Sequence, residues 1–210
     1  LSWDVYLVTD RALSRGRSLL DIVQAAVRGG VSAVQLREKN LATAEFYRAG
    51  LEIRDFLRAS GTPFIINDRV DIALALEADG VHLGQADMPV EVARRILGTD
   101  KIIGLSVERP EHLTHSAVAH ADYLGISPVF ATSTKPELAF AWGVDGVRQA
   151  RRLTELPLVA IGAVKKENAY EVIQAGADCV AVVSGIVAAA DPELAARELV
   201  ETVRAAKAAR

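Results

Sequence analysis

Short apolar runs alternate with longer amphipathic stretches along the whole of this 210-residue chain, and the alternation occurs eight times. Runs this short, bounded by turn residues, read as buried strands; the stretches between them carry apolar residues at helical spacing. The predicted strands are 5–10, 33–38, 63–68, 80–84, 102–107, 123–130, 158–163 and 179–185. Helix punctuation falls between them. Ser18 opens a capping-box-like S-x-x-D ahead of "LLDIVQAAV", which Gly29 and Gly30 close. Pro89 and Pro192 sit where a first helical turn tolerates proline, and Gly61 and Gly176 follow two further helices. Strand then helix, eight times over, predicts an α/β protein of the (β/α)8 TIM barrel type, a single domain over 1–210.

A recurrence supports closure. "GVSAVQL" from Gly30, "EADGVHL" from Glu77, "HADYLGI" from His120 and "GADCVAV" from Gly176 lead into the second, fourth, sixth and eighth strands, each with Ser or Asp ahead of the run. Alternate strands supply alternate layers of a barrel interior, which gives a two-strand recurrence a reason. An open doubly wound sheet gives it none.

Composition narrows the partners. Half the residues are hydrophobic and 24% are charged, which suits a sizeable core. Net charge is -3 with no block of like charges, so neither nucleic acid nor an anionic membrane is an expected partner, and any anion must be caught locally. Apolar runs such as 158–164 fall far below the ~18 residues that span a bilayer. The opening residues run straight into "DVYLVTD", with neither a basic segment nor a long apolar one, so no export signal is read there. The lone Cys179 cannot form an internal disulfide, which fits a reducing cytoplasm; it reads as a small buried strand residue rather than a nucleophile.

A barrel gathers its chemistry at the carboxyl ends of its strands, so polar residues there are the ones to collect. "VQLREK" puts Gln35, Arg37 and Lys39 at every second position up the second strand, on one side. Two cations there need an anion at the mouth, or neutralisation by Glu38 and neighbouring acids. Asn67 and Asp68 end the third strand, and Asp87 lies just beyond the fourth. Carboxylates at adjacent strand ends can share a Mg²⁺ whose other positions go to water and phosphate. Helix capping is the plainer role open to Asp68, and Asp71 reads as a surface residue. Ser106 ends the fifth strand, and Thr132, Thr134 and Lys135 follow the sixth, hydroxyls and a cation suited to oxyanions. "IGAV" and "VVSGI" end the last two strands with small residues that admit a phosphate close to the backbone. His112 and His115 lack a third metal ligand nearby, and His82 on the fourth strand orients the mouth or fills the core.

Taken in order, "YLVTD", "VQLREK", "INDRVDIALALEADGVHLGQADMP", "IGLS", "DYLGISPVFATSTK", "VAIGA" and "GADCVAVVSGI" resemble the thiamine phosphate synthase family across nearly the whole chain. The resemblance implies a transferase that joins hydroxymethylpyrimidine pyrophosphate to hydroxyethylthiazole phosphate, releasing pyrophosphate. It implies that Gln35, Arg37, Lys39 and Asn67 hold the pyrimidine pyrophosphate with Ser106 and Lys135. Asp68 and Asp87 would bind Mg²⁺, and Thr132, Thr134, Gly162, Ala163, Val183 and Ser184 would hold the thiazole phosphate. Arg37, Lys39, Lys135 and Ser106 are the expected catalytic groups, stabilising charge on the departing pyrophosphate.

Three features depart from the family pattern. Ala163 stands where a second glycine is usual, and its methyl suits a negative φ only. Val107 and Glu108 follow "IGLS", and Glu108 must turn away from an anion. Phe140 and Trp142 sit near the mouth as a lid or an oligomer contact, which leaves a homo-oligomer open. Two other readings stand beside the synthase: a thiazole tautomerase of the same superfamily, and a barrel that binds a phosphorylated ligand without chemistry.

Overall fold

The computed structural model describes residues 1–131 and 140–210. Eight parallel strands close into one barrel in sequence order. They are β1 (Val5–Val8), β2 (Ala33–Leu36), β3 (Phe64–Asn67), β4 (Gly80–Leu83), β5 (Ile102–Val107), β6 (Tyr123–Ile126), β7 (Leu158–Ile161) and β8 (Cys179–Val182). The ring shuts where β1 pairs with β8, Tyr6 beside Ala181. All eight predicted strands exist, but seven end one to four residues earlier than the apolar pattern runs.

The surrounding helices are α1 (Leu19–Arg28), α2 (Thr43–Ser60), α3 (Val70–Ala75), α4 (Val90–Leu97), α5 (Gly143–Leu153), α6 (Lys166–Gln174), α7 (Ser184–Val187) and α8 (Pro192–Ala208). Ser18 caps α1 by accepting from the Asp21 N–H, and Gly29 ends it. Asp191 caps α8 with Pro192 in its first turn. Gly61 ends α2 in a left-handed conformation. Pro89 lies one residue before α4 rather than inside it. The layer after β5 differs from expectation: two 3-10 turns, Pro110–Thr114 and Ser116–His120, replace a regular helix. Ser, Thr and His dominate that stretch, and they compete with helix through local side-chain bonds. His115 there accepts from the Ala117 N–H and His112 from the Glu108 N–H.

Strand alternation divides the core in two. Val5, Leu7, Val34, Leu36, Ile66 and their equivalents face the helices and form the larger cluster. Tyr6, Val8, Ala33, Ile65, Tyr123, Val159, Cys179 and Ala181 face inward, with Trp3 beneath them. Each fully buried large side chain contributes roughly 1.5–3 kcal/mol, so both clusters matter to stability.

The Ser and Asp residues ahead of the even strands have a role that layering alone does not explain. Ser32 accepts from the Asp4 and Val5 N–H groups, Asp79 from Phe64, Asp122 from Ile103 and Asp178 from Leu158. In return, the N–H of each of these four residues donates to the carbonyl of the same partner: Val5, Phe64, Ile103 and Leu158 respectively. Each even strand is thus clamped at two points to the start of the odd strand before it, satisfying groups that a strand end would otherwise bury unpaired.

No helix among the described residues is long and apolar enough to cross a membrane. Cys179 is free and buried.

Candidate active site

A cavity of about 620 Å³ opens at the carboxyl end of the barrel. Gln35, Arg37, Lys39, Asn67, Asp68, Asp87, Ser106, Gly162, Ala163, Val183 and Ser184 all line it, so the structure brings these sequence-predicted residues together. Thr132, Thr134 and Lys135 lie outside the described residues.

On the β2 side the geometry corrects the simple strand picture. The strand stops at Leu36, so Arg37 and Lys39 rise from the loop beyond it. Arg37 is held from both ends: its N–H donates to Thr9 Oγ1 at 3.0 Å and its Nη1 to Asp10 Oδ2 at 3.2 Å. Asp10 also caps the 3-10 turn Arg11–Leu13. Arg37 is therefore a paired, partly buried cation aimed at the cavity, whereas Lys39 is exposed at its rim. Glu38 neutralises neither; it binds Arg11 at 2.6 Å.

Opposite these cations stand the two carboxylates. Asp68 adopts φ 63 and its N–H donates to the His82 carbonyl at 2.9 Å, fixing the turn that leaves β3. The residue that precedes α3 is Arg69, so Asp68 is not a helix cap. Asp71 is exposed and paired with Arg69. Asp87 curls back so that its Oδ2 accepts from the Gly84 N–H at 2.7 Å. Burial, then a hydrogen bond to Asp87 and repulsion from it, push the Asp68 carboxyl up to about 6, while Lys39 and Arg37 pull it down. Two carboxyls this close repel when both are charged, and a divalent cation between them would offset that repulsion. Among the described residues no cluster of three or more His, Cys, Asp or Glu forms, so the remaining ligand positions would fall to water and ligand oxygens.

The β7–β8 side is built from backbone. Gly162 has φ 108 and Ala163 φ 49, so the alanine adopts a left-handed turn despite its methyl, against the expected negative φ. Asn168 holds this turn by donating to the Ala163 carbonyl at 3.1 Å. Val183 and Ser184 begin the short α7 on the adjoining wall.

Several cavity residues escaped sequence reasoning. Lys165 lines the β7 wall. Gln85 donates to the Ser106 carbonyl at 2.6 Å, joining the loop after β4 to β5. Tyr6 and Tyr123 form the floor with His82, which lines the cavity and lies 2.9 Å from the Tyr123 hydroxyl, in keeping with the expected place at the mouth rather than in the core. For the two tyrosines, an inward-facing position on β1 and β6 was the signal. Glu108 is also among the residues that line the cavity. Trp142 does not line it; this side chain is buried in the outer core against Gly146, with Phe140 exposed beside it. The lid suggested for this pair therefore does not hold for Trp142.

A closed (β/α)8 barrel whose mouth sets cations against paired carboxylates, with a tight glycine turn opposite, defines a barrel protein that holds anionic ligands. The chain belongs to the thiamine monophosphate synthase family, whose pattern matches residues 5–186. Thiamine-phosphate synthase of Albidiferax ferrireducens is 53% identical over 202 residues, covering 95% of this chain and 92% of that one. The thiamine-phosphate synthase of Chloroflexus aurantiacus is 49% identical over 199 residues, again covering 95% and 92%. Among solved structures, thiamine phosphate pyrophosphorylase from Pyrococcus furiosus superposes with a TM-score of 0.89 at 39% identity, covering 98% of this chain and 97% of that one.

Proposed function

We infer that this chain is a thiamine phosphate synthase: a transferase that joins 4-amino-2-methyl-5-hydroxymethylpyrimidine pyrophosphate to hydroxyethylthiazole phosphate, giving thiamine phosphate and pyrophosphate. Family membership carries the activity. The single structural observation that supports it is the gathering of Arg37, Lys39, Asp68 and Asp87 around one cavity.

The chemistry asked of the protein is modest. The C–O bond at the exocyclic methylene breaks, and pyrophosphate leaves with the electron pair. The electron-rich ring stabilises the resulting cation until the thiazole nitrogen attacks the same carbon. Arg37, held in place by Asp10, and Lys39 meet the charge that develops on the leaving group. Lys135 would add a third cation. Asp68 and Asp87 fit Mg²⁺, which when bound would neutralise pyrophosphate charge. Gln35, Asn67 and Ser106 hold the pyrimidine lower in the cavity, and the 162–163 turn with Val183 and Ser184 holds the thiazole phosphate. With Thr132 and Thr134, these walls align the nucleophile and exclude bulk water. We place the reaction in the cytoplasm, a reading supported by the free, buried Cys179.

Incubation with both substrates and Mg²⁺, followed by chromatography, tests the reading. Thiamine phosphate and pyrophosphate in equal amounts are expected. A tautomerase would exchange a thiazole proton with no pyrophosphate released, and a binding barrel would return both substrates unchanged; either result overturns the assignment.

A further inference from the structure

Glu38 stands between the two cations of the β2 side, yet it faces elsewhere. Arg37 and Lys39 line the cavity and Glu38 does not. The Glu38 side chain is 5% exposed, and its Oε1 accepts from Arg11 Nε at 3.0 Å and from Arg11 Nη2 at 2.6 Å. A carboxylate buried this deeply needs a cation beside it. Arg11 supplies that cation from a half-exposed position that is also outside the cavity lining.

The pair is one half of a crossed strap between two loops. Asp10 and Arg11 follow β1, Arg37 and Glu38 follow β2, and the acid of each loop meets the base of the other. Asp10 Oδ2 holds Arg37 Nη1 at 3.2 Å, while its Oδ1 accepts from the Leu13 N–H and so closes the 3-10 turn that begins at Arg11. Among the described residues Arg37 Nε and Nη2 make no hydrogen bond, which leaves them for a ligand in the cavity.

Beyond Arg37 little else holds the chain. Among the described residues, the backbone N–H and carbonyl groups of residues 38–41 make no hydrogen bond. Lys39 and Asn40 are exposed, and Leu41 packs partly buried against the outer core. The Glu38 side chain is therefore the polar tether of the segment that carries Lys39, and it follows directly on the residue that carries the guanidinium.

We propose that the Arg11–Glu38 ion pair aims the pyrophosphate-binding cations from outside the cavity: by pinning Glu38 it fixes the directions in which Arg37 and Lys39 leave the backbone. The proposal rests on the synthase reading above. Arg11 and Glu38 are positioning residues, because they act through their neighbours and touch no ligand. Charge alone makes the opposite prediction for Glu38. A carboxylate near bound pyrophosphate repels it, so its removal would tighten binding if field strength were all that counted. Where direction counts more, removal weakens binding, because a cation displaced by about 1 Å loses its hydrogen bond to the leaving group.

The test measures inorganic pyrophosphate binding by titration calorimetry with Mg²⁺ present, and steady-state coupling, for the wild type, Glu38→Met, Arg11→Met, the double variant and Arg11→Lys. Methionine matches the length of glutamate and leaves no charge buried, and Arg11 already stands half in water, so Glu38→Met spares the fold even where Arg11→Met does not. Each methionine variant should weaken pyrophosphate at least about fivefold and lower kcat at least about tenfold per folded molecule. The double should fall little further, because the two residues act as one unit. Arg11→Lys should stay within about threefold of the wild type, since both Arg11 nitrogens go to the same oxygen and one ammonium can replace them. KM for the thiazole phosphate should not move. Unchanged or tighter pyrophosphate binding in Glu38→Met overturns the proposal, and so does an Arg11→Lys loss as large as that of Arg11→Met. A wild type that binds pyrophosphate, with the stated loss in Glu38→Met, yet forms no thiamine phosphate would sink the synthase reading and leave the strap standing.

Discussion

At Ala163 the chain turns through φ 49 with a methyl attached, directly after Gly162 at φ 108, where a Cβ would lie 2.6 Å from Pro128. Left-handed backbone costs an ordinary residue roughly 1 kcal/mol, and relief of that strain exceeds the extra freedom a glycine gains when unfolded. Ala163→Gly should therefore raise the melting temperature by about 1–3 °C, read by circular dichroism. Asp68 gives a pH signature. Its folded pKa of about 6 exceeds the ordinary 3.8, so the folded protein holds a proton that the unfolded chain has released between those values. In metal-free protein this group makes stability fall as pH rises from about 4 through about 6. Asp68→Asn should melt higher than the wild type near pH 7, with the gap closing toward pH 4, and should lose any stabilisation by added Mg²⁺. That Asp68 and Asp87 stand together was legible from their places at adjacent strand ends. The left-handed turn at Ala163 was not, because alanine gives no signal of positive φ.

Among the elements, the eight strands were legible because a buried parallel strand needs a run of apolar residues between turns, and each run is there. Their ends were not. After β6, Ser127 and Val129 remain buried although the chain has left the ladder, so apolar pattern outlasts pairing. The recurring Ser or Asp before each even strand was legible as a repeat, while its work as a clamp needed coordinates. Asp122 shows what the clamp is worth, since it accepts from the Ile103 N–H at 2.7 Å and pairs with Arg94 at 2.6 Å. Asp122→Ala should strip that N–H of its acceptor and Arg94 of its ion-pair partner, leaving Arg94 its bonds to the Gly98, Lys101 and His120 carbonyls, and cost about 1–3 kcal/mol, a drop of roughly 3–10 °C in melting temperature. Turnover per folded molecule should be unchanged, because this junction lies at the amino end of the barrel.

Across the whole molecule, stability and chemistry occupy opposite ends. The clamps, together with Asp4 held by Arg204 and Lys207 of α8 at 2.8 Å, secure the amino-terminal face. The charged groups of the cavity crowd the other face, where Asp68 and Asp87 sit as repelling neighbours. Arg37→Ala should thus cut coupling turnover by about a hundredfold while shifting the melting temperature by less than about 4 °C, the reverse of Asp122→Ala. A near-wild-type rate in that variant would remove Arg37 from the chemistry. Between the two faces, the rings of Trp3, Tyr6 and Tyr123 fill the lumen, with Trp3 centroids 5.1 and 5.6 Å from the tyrosines. They plug the bore at mid-height, so solvent that enters from above stops there. Deuterium uptake by backbone amides should then change partway along each strand: tips facing the cavity exchange through small local openings, and the roots only when the entire barrel comes apart.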